Sequence, residues 1–287
     1  MKKAFIILCC VLALQSCNKD NTKNETVNGF DINWTGDLGK KEKDAVRDMI
    51  SNMVKVEAGT FYMGAQKDSV EYYCYDENAT SLESPVHEVT VNEFYINKYE
   101  VTQLLWKSIM GKHNDKSDAY DQWEDEFGKG DNYPAYRISF KDVELFIGML
   151  NEYTGLNFAL PTEAQWEYAA RGGKDANYEL IYAGSNVVTD VAWIDENSDK
   201  NSEVGNKNAN VLGLYDMSGN VWEMCSNWYY DYSSVCDTIT PGDAYTGHKV
   251  FRGGSWNTNA QQARVTARYK QGIHYRDYNT GFRLVLE

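Results

Sequence analysis

The sequence predicts an α+β domain in which short helices and strands are set among long irregular stretches. Three segments with recognisable caps predict helices, and a few short β-branched or aromatic runs predict strands. Much of the remainder carries Gly, Asn, Asp and Tyr without a clear period, which periodicity reads only as irregular structure.

The chain opens with Lys2 and Lys3 and an apolar run from Ala4 to Leu14, too short to span a bilayer and suited to export. Leu14-Gln15-Ser16-Cys17 resembles a bacterial lipobox, so residues 1–16 are expected to be removed and Cys17 to carry lipid. An ordinary signal peptide is the plainer alternative. Residues 17–50 are expected to be the lipidated Cys17 and a flexible tether, because the stretch after it begins Asn18-Lys19-Asp20-Asn21 and is too polar to bury much apolar surface. Residues 51–287 mix Trp, Tyr, Phe, Val and Leu in a length that suits one domain.

Within that domain Thr102 is placed to cap a helix through Leu105, Trp106, Ile109 and Met110, with Gly111 as its stop. Ser139 and Asp142 form a capping-box pattern ahead of Val143, Phe146 and Leu150, and Gly155 ends that helix. The third helix starts at Pro161-Thr162-Glu163, runs through Trp166 and Ala169, and ends at Gly172-Gly173. Strands are expected at Val89–Val91, Phe94–Ile96, Val250–Arg252 and Gly281–Val285. Two acidic, aromatic insertions, residues 68–83 and 114–133, are read as surface loops packing their own rings, or as a recognition rim.

Net charge is −14 and becomes more negative once Lys2 and Lys3 leave with the signal. Such an acidic surface argues against nucleic acid and against electrostatic docking on anionic lipid. Of six cysteines, Cys74, Cys225 and Cys236 remain in the exported domain, so one disulfide and one thiol are expected outside the cytoplasm. Which pair forms stays open, although Cys225 with Cys236 closes the shortest loop.

Five segments in order, VEAGTFYMGA (56–65) with HEVTVNEFYINKYEVT (87–102), LPTEAQWEYAARGG (160–173), GLYDMSGNVWEM (213–224), RGGSW (252–256) and GFRLVLE (281–287), resemble the formylglycine-generating enzyme, or sulfatase-modifying factor, family. The resemblance implies an elaborated C-type-lectin-like α+β fold. It also implies calcium bound along the turn by Asp216, Gly219, Val221 and Glu223, two side chains and two carbonyls, and a second position at Asn197 and Ser198. Trp222, Ser255, Trp256, Thr258, Ala263 and Asn279 correspond to positions lining the family's substrate groove. Arg252, Arg264 and Arg283 are expected to hold sheet and loops through carboxylate pairs.

In the family's oxidases two cysteines after RGGS bind copper(I), which favours soft thiolate ligands. Carried onto this chain, those positions are Thr258 and Ala263, and no cysteine lies between Arg252 and Glu287. Conventional formylglycine generation is therefore not expected. Iron held by imidazoles, as in other branches, has only His87, His113, His248 and His274 to draw on, with no close pair.

These observations converge on an exported, lipid-anchored binding or scaffold module of the cell envelope, outer membrane by expectation, stabilised by calcium and facing a protein or glycan ligand. Two alternatives stand beside it. One is a metal-dependent oxidase or oxygenase with an altered site. The other is a retroelement-diversified lectin-like protein, because residues 257–280 alternate Asn, Thr, Gln, Tyr and His with framework residues such as Arg264, Arg268 and Arg276.

Overall fold

The computed structural model describes residues 24–112, 123–232 and 246–287. Cys17 and its signal, His113, Cys236 and residues 114–122 of the expected 114–133 insertion lie outside these residues. Among the described residues no helix is long and apolar enough to cross a membrane.

The expected tether is shorter than residues 17–50. Strands β1 (Asn24–Val27) and β2 (Phe30–Asn33) form an antiparallel hairpin, and α1 (Lys40–Ser51) follows it. The charged face of α1 resembles linker composition, but Ala45, Val46, Met49 and Ile50 are buried with Ile32 and Trp34. Burial at one- and three-residue spacings, rather than caps, makes this helix, since Gly39 offers no side chain to cap it.

Strands β3 (Met53–Val56), β4 (Gly59–Met63), β5 (His87–Val91) and β6 (Phe94–Asn97) come next. Helix α2 (Gln103–Met110) starts where expected, with Thr102 Oγ1 accepting from Leu105 N. Helix α3 (Phe140–Thr154) has the full Ser139–Asp142 capping box, and Gly155 ends it in the left-handed region at φ 70°. After β7 (Phe158–Ala159), α4 (Glu163–Arg171) carries a second capping box between Thr162 and Gln165. A single turn, α5 (Val188–Val191), precedes β8 (Trp222–Trp228), β9 (His248–Arg252) and β10 (Arg268–Gly272). The expected terminal strand is two short ones, β11 (Thr280–Gly281) and β12 (Val285–Leu286).

That division places the C-terminal segment between two sheets. β11 pairs in parallel with β8 in a sheet ordered β10-β9-β8-β11, whereas β12 lies between β6 and β7 in a sheet ordered β3-β6-β12-β7. Between them Phe282 packs with Trp106 and Phe146, and Arg283 turns the other way into a fully buried ion pair. One apolar core lies around α1, α2 and α3, and a second around α4 with β4 and β5.

Candidate functional site

The turn Asp216-Met217-Ser218-Gly219-Asn220 enters the left-handed region at three of its five residues, with φ of 56° at Asp216, 81° at Gly219 and 58° at Asn220. Only glycine fits at 219, where a Cβ would stand 2.3 Å from Trp193 O. The bend aims its polar side chains inward. Ser218 Oγ donates to Ala263 O at 2.7 Å, and Asn220 Nδ2 donates to Glu100 Oε2 at 2.6 Å. Asp216 Oδ2 accepts from Gly205 N at 2.7 Å, but its Oδ1 is buried with no partner.

Glu223 leaves the turn on β8 and is fully buried. Arg283 grips it with two bonds, Nε to Oε2 at 2.7 Å and Nη2 to Oε1 at 2.6 Å, and Trp166 Nε1 adds a third at 2.8 Å. The same guanidinium donates to the carbonyls of Asn97, Lys98 and Tyr215, so one side chain ties β6, the turn and β8 together. Glu223, expected as a calcium ligand, thus has its charge already paired by a cation of the chain itself.

Three buried carboxyl groups nevertheless share one buried guanidinium here. Glu100, Asp216 and Glu223 interact with one another and with Arg283. Burial, then Asp216 and Glu223, hold Glu100 well above the usual carboxylate range, and burial pushes Asp216 up to about 6 despite the Gly205 amide. A carboxylate in this setting takes up a proton or a cation. The open Oδ1 of Asp216 fits calcium as one ligand, with the Gly219 and Val221 carbonyls beside it in sequence. Among the described residues no three His, Cys, Asp or Glu side chains are grouped to hold a metal, so such a site leans on backbone oxygens.

At the second expected calcium position the side chains of Asn197 and Ser198 bond to nearby backbone. Asn197 Oδ1 accepts from Ile194 N at 2.9 Å and its Nδ2 donates to Ala192 O at 3.0 Å, while Ser198 Oγ donates to Lys200 O at 2.6 Å. Both close their own loop.

The groove positions divide into a buried floor and a partly open rim. Ser255, Ala263, Thr258 and Trp222 are buried, and Thr258 Oγ1 accepts from Ser255 N and donates to Ser255 O, both at 2.9 Å. A Cβ on Gly254 would stand 2.9 Å from the Ala263 Cα. Thus Thr258 and Ala263 both pack against the Gly254-Ser255 dipeptide, and together they offer a hydroxyl and a methyl. Trp256 and Asn279 form the rim: Trp256 Nε1 donates to Tyr278 O at 3.3 Å, Asn279 Nδ2 donates to Asn257 Oδ1 at 2.7 Å, and Phe127 stacks on Tyr278 at 3.9 Å. Trp222 is stacked on Tyr269, at 5.2 Å, as part of the sheet surface.

No thiol substitutes for the missing pair among the described residues. Cys74 and Cys225 are both free and buried, so neither joins the expected disulfide. Burial pushes the Cys74 thiol up to about 12 and Cys225 well above the usual thiol range, which keeps both protonated and poor as soft ligands. The histidines are spread out: His87 contacts Pro85 O and the Tyr232 ring, and His248 and His274 are exposed on and beyond β9 and β10.

The expected arginine pairs frame the site. Arg252 binds Glu167, which also receives Arg171 Nε at 3.0 Å, and Arg268 grips Glu163 at 2.6 and 2.9 Å. Arg264 holds Glu83 at 2.7 Å and Asp76 at 2.6 Å, fixing the 68–83 insertion to the framework. Burial pushes Glu83 up, but Arg264, Thr266 and Thr80 more than offset it and hold the carboxyl below its ordinary 4.5. A depressed folded pKa gives stability that is present above the unfolded value and lost as pH falls through the folded one. Glu83→Gln should therefore cost roughly 3 kcal/mol at neutral pH, and the gap should close as wild type is acidified below about 4.5. Urea titrations of both proteins from pH 7 to pH 3 check this; a gap that persists undiminished contradicts it.

Sequence reasoning missed Glu100, Asn220 and Trp166 as members of the central network. Each stands in a segment quoted for the family resemblance, but their partners are up to 121 residues away.

Residues 39–287 match the family model described as the sulfatase-modifying factor enzyme 1-like domain. The chain is 30% identical over 220 residues to the chaperone protein LppX of Paenibacillus barcinonensis, covering 62% of this chain and 74% of that one. It is 24% identical to the formylglycine-generating enzyme of Mus musculus, over 82% of this chain and 74% of the enzyme. Among solved structures, the Treponema denticola variable protein 1 superposes with a TM-score of 0.64 at 24% identity, over 92% of this chain and 98% of that one.

Proposed function

The chain belongs to the sulfatase-modifying factor family, and on that premise we propose that it is a non-catalytic binding or scaffold module of the cell envelope, lipid-anchored through Cys17. The observation that carries this reading is the pair Thr258 and Ala263, buried against Gly254-Ser255 where the family's oxidases place their copper thiolates. Neither a hydroxyl closed on its own backbone nor a methyl binds copper(I). The retained parts are structural, namely the arginine–carboxylate frame and the left-handed turn. The similarity to a protein named as a chaperone supports a role in contacting other proteins.

Calcium belongs to this proposal as a structural ion at the turn, with Asp216 as its anionic ligand. Bound there, it would hold Asp216 in the charged form that burial disfavours and supply no chemistry beyond that.

Metal content of the exported chain, after equilibration with calcium and copper(I) and removal of unbound ions, tests both parts. Calcium should be retained, copper should not, and calcium should raise Tm by several degrees in wild type but not in Asp216→Asn. Stoichiometric copper would overturn the non-catalytic reading, and a Tm indifferent to chelator would remove the calcium site.

A further inference from the structure

Of the eight exposed large apolar or aromatic residues among those described, Val70, Tyr72, Tyr73, Tyr75 and Leu82 stand on the 68–83 insertion. Tyr72 and Tyr73 are 73% and 63% exposed, which is unusual for rings on a loop so firmly held. Gln66 binds that loop at Asp68 N and Ser69 O, Asp76 is tied to Arg264, and Tyr73 stacks on Tyr62 at 4.6 Å and 11°. The rings are thus presented in fixed positions, at little conformational cost to a partner.

Beside this ledge, with Tyr73 and Tyr178 centroids 6.3 Å apart, lies a pit of about 220 Å³. That is below the roughly 300–1,000 Å³ of small-molecule pockets and suits one long side chain. Tyr75 and Tyr178 line it together with Glu77 and Glu179, whose carboxylates have no hydrogen bond or ion pair among the described residues. Its other charges are already matched, Asp76 by Arg264 and Arg171 by Glu167. Arg171 already lies over the Tyr178 ring at 5.2 Å but is held there by Glu167, so what the pit lacks is a cation free to lie against the exposed Tyr73 and Tyr75 rings and to pair with Glu77 and Glu179.

We propose that this ledge and pit form a docking site for an arginine side chain on an exposed basic segment of a partner protein. Arginine rather than lysine fits because its planar guanidinium stacks on tyrosine while its fork donates to carboxylates. The inference rests on the binding-module reading and deepens it by naming the partner's chemistry.

Calorimetric titration of the exported chain with an acetylated octapeptide of alternating glycine and arginine tests it, beside the lysine counterpart and a neutral glucose hexasaccharide. The arginine peptide should bind saturably, about five- to tenfold tighter than the lysine peptide. Tyr73→Ala and the double variant Glu77→Gln/Glu179→Gln should each weaken it by about fivefold or more, with Tm unchanged in the double variant and lowered by no more than a few degrees in Tyr73→Ala, which loses the stack on Tyr62. The charge-matched control Glu126→Gln/Glu196→Gln, at exposed positions elsewhere, should leave it unaltered. Equal weakening by both double variants, equal binding of the two peptides, or binding of the hexasaccharide alone would overturn the proposal. None of these results depends on copper, so the non-catalytic reading stands or falls separately.

Discussion

Arg283→Met should lower stability by about 3–5 kcal/mol, the range for breaking a buried ion pair by removing one partner. Glu223 would be left fully buried and charged, with only the Trp166 indole to bond it, and the carbonyls of Asn97, Lys98 and Tyr215 would each lose the guanidinium as a donor, Lys98 O keeping the Tyr215 amide. Against a total of roughly 5–15 kcal/mol for a domain, such a loss takes a large share of what holds the native state. Urea unfolding of Arg283→Met, Glu223→Gln and the double variant resolves the pair as a cycle. The double variant should cost clearly less than the two single changes added together. A single change costing under about 1 kcal/mol would mean that the guanidinium is not the tie between the sheets.

The second large effect is a gain. Thr258→Cys/Ala263→Cys should bind one copper(I) per chain where wild type binds none, because both positions already converge on Gly254-Ser255 and lack only soft sulfur. Ala263→Cys adds a sulfur at a fully buried position, so the single variants serve as controls for folding. Competition with a copper(I) chelator, read against each single variant, checks this. Failure of a well-folded double variant to outcompete the singles would show that more than two ligands has changed at this groove.

The legible parts of this fold are those specified locally. Thr102, Ser139–Asp142 and Thr162–Gln165 place three helix starts because a cap acts within one turn, and Gly155 and Gly172 mark two ends for the same reason. Helix α1 escaped because its charged residues resemble a linker and its cap is Gly39; the spacing of Ala45, Val46, Met49 and Ile50 was the available signal. The carboxylate partners of Arg252, Arg264 and Arg283 were beyond sequence reasoning, since Glu223 and Arg283 stand 60 residues apart and Glu83 and Arg264 181. At the turn, Asp216 was named as a calcium ligand from the resemblance alone, and its burial with an unpartnered Oδ1 lay beyond sequence reasoning, as did the pairing of Glu223 with Arg283, which follows because an arginine in a dry interior must find a carboxylate.

The measurement that tests the central claim most directly is oxygen uptake by the copper(I)-equilibrated native chain in the presence of a cysteine-containing peptide, followed by mass analysis of the peptide. A chain whose groove ends in Thr258 and Ala263 should consume no oxygen above the copper-free control and return the cysteine unchanged. Copper-dependent uptake with conversion of that cysteine to formylglycine would contradict the account.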